Sequence, residues 1–156
     1  MATHVRVRIH AVFATSKLRP VLSGEMGSRT HRYLAGVARR MGVGVPAAGG
    51  AAEHVHLLLD LPSTLAMADC MRILKGASSK WLNKLGELER GFAWQPGYAA
   101  FSVCASRFDA TIDYIRDQKR LHTTLPFTRE YEMFLDVHRL DSETIGGLKQ
   151  KAGGDS

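Results

Sequence analysis

An α+β fold, one mainly antiparallel sheet with helices packed on a face, is what this sequence predicts, and three patterns predict it. Val5, Val7 and Ile9 alternate with Arg6, Arg8 and His10, the period of a strand with one buried and one polar face. Two longer stretches, residues 25–41 and 65–85, carry apolar residues at helical spacing. These helices are interleaved with short strand-like runs in the order strand, helix, strand, strand, helix, strand, helix.

The first strand is expected over residues 4–14, and residues 16–24, with Pro20 and Gly24, read as a loop. In the first helix Met26, Tyr33, Leu34, Val37 and Met41 form the apolar stripe, and Gly42 and Gly44 stop it. A short strand over residues 43–47 leads into a Gly49-Gly50 turn, and residues 54–61 form the hairpin partner. Met67, Met71, Leu74, Trp81, Leu82 and Leu85 define the second helix, with Gly76 as its weak point. A loop with Gly91, Pro96 and Gly97 precedes a strand over residues 99–104. A helix over residues 107–122 ends before Pro126, and a last short helix covers 128–137. The arrangement is ferredoxin-like, with helices on one face and the other left free for chemistry or nucleic acid. Residues 1–140 are expected to form one domain and 141–156, poor in anchoring apolar residues, a flexible tail.

Composition narrows the function. The chain has 156 residues and 45% hydrophobic content, enough for one core. It is too short for an eight-stranded α/β barrel of roughly 250 residues, so a catalytic site must be compact or completed by a second copy. A net charge of +6 and a pI near 9.6 favour a polyanionic partner, nucleic acid before membrane. Cys70 and Cys104 form no CxxC pair and read as small buried hydrophobes of a reducing compartment. Arg6 and Arg8 interrupt any signal-like amino-terminal stretch, and no apolar run is long enough to span a membrane. A soluble cytoplasmic protein is expected.

His54-Val55-His56 is the strongest chemical signal. On a strand, positions i and i+2 point the same way, so both imidazoles share a face. Such a pair is half of a divalent-metal site, or equally a pair of solvent-facing histidines beside a buried Leu57-Leu58-Leu59 run. Leu58 and Leu59 break the HxHxDH pattern of metallo-β-lactamases, and His4, His10, His31, His122 and His138 recreate no second phosphoesterase motif. The second signal lies on the helix before Pro126: Tyr114 and Gln118 are one turn apart and share an edge that His122 continues. Read alone, that edge also suits an ordinary amphipathic surface helix.

The ordered blocks HAVFATSKLRP, HVHLLL, LKGASSKWL, FAWQPGYAAFSV and YIRDQ resemble the small single-tyrosine HUH transposases of insertion sequences, the IS200-like group that moves as single-stranded DNA. The resemblance runs from about Val5 to Phe134. It implies that His54 and His56 are the HUH metal ligands, that Tyr114 is the nucleophile and that Gln118 is the third ligand. Nitrogen and oxygen ligands without sulfur suit Mg²⁺ or Mn²⁺. Attack by Tyr114 on a phosphodiester would store the bond as a 5′-phosphotyrosine, with no nucleotide cofactor and no GxxxxGK[ST] loop needed. The resemblance further implies a homodimer sharing active sites between subunits, and a single-stranded DNA partner folded as a hairpin at element ends. Arg72, Lys75, Ser79 and Lys80 fall in the family's basic block and, with Arg6, Arg8 and Lys119, are the expected DNA contacts. His10 and His122 are expected to line the site. Trp81, Phe92, Trp94, Tyr98 and Phe101 read as anchors of the Pro-Gly loop or as base-stacking platforms. Three departures stand out: Glu53 where many members carry Asp or another polar residue, an unusually small and featureless run over residues 47–52 before it, and Leu121-His122 in place of a histidine pair. The competing readings are a noncatalytic nucleic-acid-binding module and a replication-initiation nickase or relaxase. The short chain and a tyrosine placed after the HUH pair argue against the last.

Overall fold

The computed structural model describes residues 1–140; the expected tail, 141–156, lies outside the described residues. A four-stranded antiparallel sheet runs in the order β2-β3-β1-β4, with β1 Val7–Ala14, β2 Gly44–Gly50, β3 His54–Leu61 and β4 Ala99–Ser102. Helices α1 (Gly24–Arg40) and α2 (Met67–Leu85) complete the ferredoxin-like order. Three helices follow: α3 Phe108–Arg116, α4 Gln118–Leu121 and α5 Phe127–Val137. No helix among the described residues is long and apolar enough to cross a membrane.

One face of the sheet is sealed by α1 and α2. Ala11, Phe13, Val55, Leu57 and Leu59 meet Leu34, Val37, Met71, Leu74 and Leu82 there. Trp94 caps this layer, its indole N–H donating to Ser78 Oγ at 2.9 Å. The opposite face, expected to be free, is covered. Val12, Ala14, Ala99 and Phe101 pack against Phe127 and Leu135 of α5, and Ala47 and Leu58 pack against Ile115 of α3. The physical reason is that α3 and α5 each carry an apolar stripe that only this face can bury. The polar face expected of the first strand is corrected by the same cover: His10 is 4% exposed, whereas Val7 at the uncovered end is 40% exposed. Cys70 is buried as expected, but Cys104 is exposed because β4 ends two residues before it.

Two local expectations change. Gly49 and Gly50 are the last residues of β2 rather than a turn, which falls instead over 51–53. The expected helix over 107–122 is divided at Asp117 (φ −94°, ψ 10°), where the Gln118 side chain donates to the Tyr114 carbonyl at 3.4 Å. Gly76 does not interrupt α2, which stops at left-handed Gly86.

Gly49 sets the position of α3. A Cβ there would lie 2.1 Å from the Ile115 carbonyl oxygen, so the helix backbone sits directly on the strand. Gly76, by contrast, has open space around it. In urea denaturation Gly49→Ala is expected to cost about 1–3 kcal/mol by overpacking, whereas Gly76→Ala should gain about 0.5–1 kcal/mol from helix propensity. Equal effects of the two would contradict this packing.

His31, on α1, is largely buried with Nε2 unpartnered, and burial pulls its pKa down to about 4. Between the ordinary value of 6.5 and about 4 the unfolded chain takes up a proton that the folded chain refuses. Its contribution to stability is therefore present above pH 6.5 and lost as the pH falls toward 4. His31→Phe should flatten the stability–pH curve over that window by up to one proton; an unchanged slope would rule out His31 as a source.

Candidate functional site

The covered face holds a buried polar cluster built from β1, β3, α3, α4 and α5. His54 and His56 project from β3 toward it and are both 0% exposed, while Val55 and Leu57 between and beyond them point into the other core layer. Gln118, 1% exposed, enters from the start of α4, and Tyr114 from one turn earlier on α3. His122 follows α4, so the edge Tyr114–Gln118–His122 read from the sequence arrives intact beside the histidine pair.

One central member was missed. Glu130 of α5, 2% exposed, lies between the histidines. Its carboxylate accepts a short hydrogen bond from the Tyr114 hydroxyl and one from the Gln118 amide at 3.1 Å. It approaches His56 Nε2 at 3.1 Å, His122 Nε2 at 2.6 Å and His54 Nε2 at 3.7 Å. The signal was available: Phe127, Glu130, Tyr131 and Phe134 share one helical face, and a carboxylate inside an apolar stripe is out of place unless it has a buried task.

The hydrogen positions define the chemistry. His54 Nδ1–H donates to Glu53 Oε1 at 2.9 Å, and His122 Nδ1–H donates to the Leu125 carbonyl at 2.6 Å. With that proton on Nδ1, the neutral form of either ring turns an Nε2 lone pair inward. What faces those lone pairs is oxygen: Gln118 Oε1 lies 3.0 Å from His54 Nε2 and 2.9 Å from His122 Nε2. The amide cannot be reversed, because its NH₂ already serves the Tyr114 carbonyl and Glu130. His56 Nε2, 3.1 Å from Glu130 Oε1, and Glu130 Oε2, 2.6 Å from His122 Nε2, are buried in ion-pair contacts that lack hydrogen-bond geometry. In that neutral form lone pairs converge on lone pairs, an arrangement that a cation at their centre would relieve. His54, His122 and Glu130 by themselves present three ligand atoms within 4.8 Å of one another. The donor set of imidazole nitrogen, amide oxygen and carboxylate oxygen fits a divalent metal with oxygen-rich coordination.

Electrostatics follow from burial. Burial lowers the His56 pKa to about 4, with Glu130 opposing, and lowers that of His10 to about 3 with help from His56. Burial raises the Tyr114 pKa well above its ordinary value, and the neighbouring Glu130 carboxylate raises it further. For Glu130 burial acts upward, but His56, the Tyr114 hydroxyl and His54 outweigh it and hold the carboxyl at about 2. Glu53 is held below the usual carboxylate range by the His54 hydrogen bond.

The expected DNA contacts are not gathered at this cluster. Arg72, Lys75, Ser79 and Lys80 belong to α2, across the sheet from the histidines. Lys75 donates to the carbonyls of Gln95 and Gly97, and Ser79 to that of Phe92 at 3.4 Å, so both anchor the loop before β4. Arg72 and Lys80 are exposed, Arg72 paired with Asp69. Arg6 and Arg8 both pair with Asp60, and the Arg8 guanidinium lies 3.6 Å over the Phe108 ring. Lys119 alone of the set borders the site: it lines a cleft of about 460 Å³ with Ser23, Ser28, Glu53, His122 and Phe127. Phe92, Trp94 and Phe101 are core, Trp81 stacks on Tyr33 at 4.4 Å, and Tyr98 is partly exposed.

Comparison with known proteins agrees with this architecture. The family model for IS200-like transposases matches residues 3–118. The transposase for insertion sequence element IS200 of Salmonella typhimurium is 30% identical over 122 residues, 74% of this chain and 79% of that protein. The ISDra2 transposase TnpA of Deinococcus radiodurans is 28% identical over 118 residues, 72% of this chain and 84% of that protein. Among solved structures, a crystal structure assigned as a transposase of Deinococcus radiodurans R1 has a TM-score of 0.62 at 24% identity, covering 76% of this chain and 95% of that one. A REP-associated tyrosine transposase bound to a REP hairpin has a TM-score of 0.58 at 16% identity, covering 80% and 76%. These two share the fold. With the family match spanning most of the chain and a relative at 30% identity, the chain belongs to the IS200-like transposase family.

Proposed function

We propose that this transposase cuts and rejoins single-stranded DNA at element ends by a metal-dependent reaction in which Tyr114 is the nucleophile. The observation that carries the reading is the inward convergence of His54 Nε2, His122 Nε2, Gln118 Oε1 and Glu130 on one point, with the Tyr114 hydroxyl at its edge. His54, His56 and Gln118 would hold the ion, with His122 and Glu130 within reach of it. A bound Mg²⁺ or Mn²⁺ supplies charge stabilisation to a phosphate oxygen.

The remaining steps belong to the protein's own groups. The Tyr114 hydroxyl is oriented by its hydrogen bond to Glu130, which is also the acceptor at hand for the phenol proton. As the Tyr114 oxygen bonds to phosphorus, the bond from phosphorus to the 3′ oxygen breaks, and that oxygen takes up the proton that the phenol gave to Glu130. The products are a 5′-phosphotyrosine and a strand ending in a 3′-hydroxyl. Rejoining is the reverse exchange: a 3′-hydroxyl attacks the phosphotyrosine and Tyr114 leaves with a proton. Phosphodiester energy stays in the linkage throughout, so no nucleotide cofactor enters.

The cleft bordered by Lys119 leads to His122 and Glu53 and is the path for the scissile strand. Arg72 and Lys80, on the far layer, would grip duplex phosphates away from the cut, as suits a hairpin whose single-stranded flank reaches the site. The protein acts in the cytoplasm as a homodimer. In the single chain Tyr114 and Gln118 meet the histidines of their own sheet; exchange of the tyrosine helix between two copies would preserve the same contacts.

The reading is tested by incubating the purified protein with labelled single-stranded oligonucleotides bearing hairpin element ends and Mg²⁺, followed by denaturing electrophoresis. The expected result is a covalent protein–DNA band that is abolished by Tyr114→Phe, by His56→Ala and by chelator. A band surviving Tyr114→Phe would sink the nucleophile assignment, and no band on any element end would leave a noncatalytic DNA-binding module.

A further inference from the structure

Each of the two β3 histidines has a dedicated hydrogen-bond partner on its outward nitrogen. Glu53 Oε1 lies 2.9 Å from His54 Nδ1, and His10 Nε2 lies 2.7 Å from His56 Nδ1. The second contact is a product of sheet register. His10 pairs with Leu58 and Val12 with His56, so His10 and His56 are diagonal neighbours on one face, a spacing that two rings can bridge. His10 is itself boxed in by Phe134 at 5.1 Å, Tyr114 at 6.2 Å and Phe101 at 6.4 Å, centroid to centroid. Glu53 is one residue before His54 and reaches its ring from the rim of the cleft.

We propose that Glu53 and His10 are positioning residues which fix His54 and His56 in the tautomer and orientation that present Nε2 to the metal. This rests on the metal-dependent reading above. A neutral imidazole carries one ring proton and can present either nitrogen, so an unconstrained histidine spends part of its time in the wrong form. A carboxylate accepts only, which leaves His54 with its proton on Nδ1 and its lone pair on Nε2. His56 Nδ1–H donating to His10 Nε2 produces the same outcome for the second ligand, and His10 then carries its own proton on Nδ1. The two acceptors differ in charge. The anionic Glu53 makes His54 the more electron-rich ligand, whereas His10 orients His56 without adding charge.

Mn²⁺ binding to the purified full chain, read by the electron paramagnetic resonance signal of free Mn²⁺ without DNA, tests this. Loss of such an acceptor commonly weakens metal binding about 10–100-fold. His10→Leu and Glu53→Ala are each expected to weaken Mn²⁺ binding by about 10-fold or more. His10→Gln, which restores an acceptor oxygen near Nε2, and Glu53→Gln should recover most of that loss, a rescue that packing alone would not give. Wild-type affinity in both His10→Leu and Glu53→Ala overturns the positioning role, as does a Gln variant no better than its apolar counterpart. Glu53→Ala at the cleft rim carries the test alone if His10→Leu melts at the assay temperature. His56→Ala separates the two readings. If it too binds Mn²⁺ like wild type, the metal site itself is wrong; if it loses binding while His10→Leu and Glu53→Ala keep it, only the positioning role falls.

Discussion

The contact between Gly49 of β2 and the backbone of α3 decides where Tyr114 and Gln118, the proposed nucleophile and amide ligand, sit. Gly49 pairs with His56 across β2 and β3, so the residue that admits the helix is the cross-strand neighbour of a candidate metal ligand. Because no Cβ stands there, the Ile115 carbonyl settles on the strand, and Tyr114 and Gln118 are carried to the histidine edge. Any side chain at position 49 would have to push α3 outward, and sub-ångström placement matters for a nucleophile and a ligand alike. The bend at Asp117 then aims Gln118 inward while Tyr114 stays within reach of α5.

Burial of this constellation is costly unless something cationic compensates it. A carboxylate, an amide oxygen and three imidazoles share one nearly dry volume, and the backbone around them offers few donors. The histidines and the tyrosine hydroxyl meet part of the demand of Glu130, which is why its carboxyl is so acidic despite its burial. The remaining demand is what a bound cation would meet, and it is the ground on which we propose a metal centre rather than a structural polar core. The face expected to be open to nucleic acid is instead closed by α3 and α5, which leaves the cleft beside Lys119 as the proposed path to the cluster.

Much of this was legible in the sequence wherever the deciding physics is local. Period two placed His54 and His56 on one side of a strand, and helical spacing put Tyr114, Gln118 and His122 on one edge. What sequence reading missed is tertiary. A Gly-Gly pair signals a turn locally, yet here Gly49 marks a close backbone approach that depends on a helix some 60 residues later. Lys75 and Ser79 looked like phosphate contacts because both are polar and lie in a basic block, but the loop before β4 uses them. Glu130 was overlooked because a surface carboxylate is the ordinary expectation on a short charged helix; only the apolar company of Phe127 and Phe134 distinguishes it. The first strand misled for the related reason that alternation records polarity, and His10 is polar yet buried beneath α5.

Whether the buried cluster is a divalent-metal centre built on the two β3 histidines is decided by where Mn²⁺ binds. Crystals of the chain grown with Mn²⁺ and measured at a wavelength where manganese scatters anomalously would test it most directly. The account predicts one dominant anomalous peak bonded to both His54 Nε2 and His56 Nε2, with Gln118 Oε1 turned toward it. A map with no peak in the cluster at saturating Mn²⁺, the ion lying instead among surface carboxylates such as Asp69 or Asp117, would contradict it.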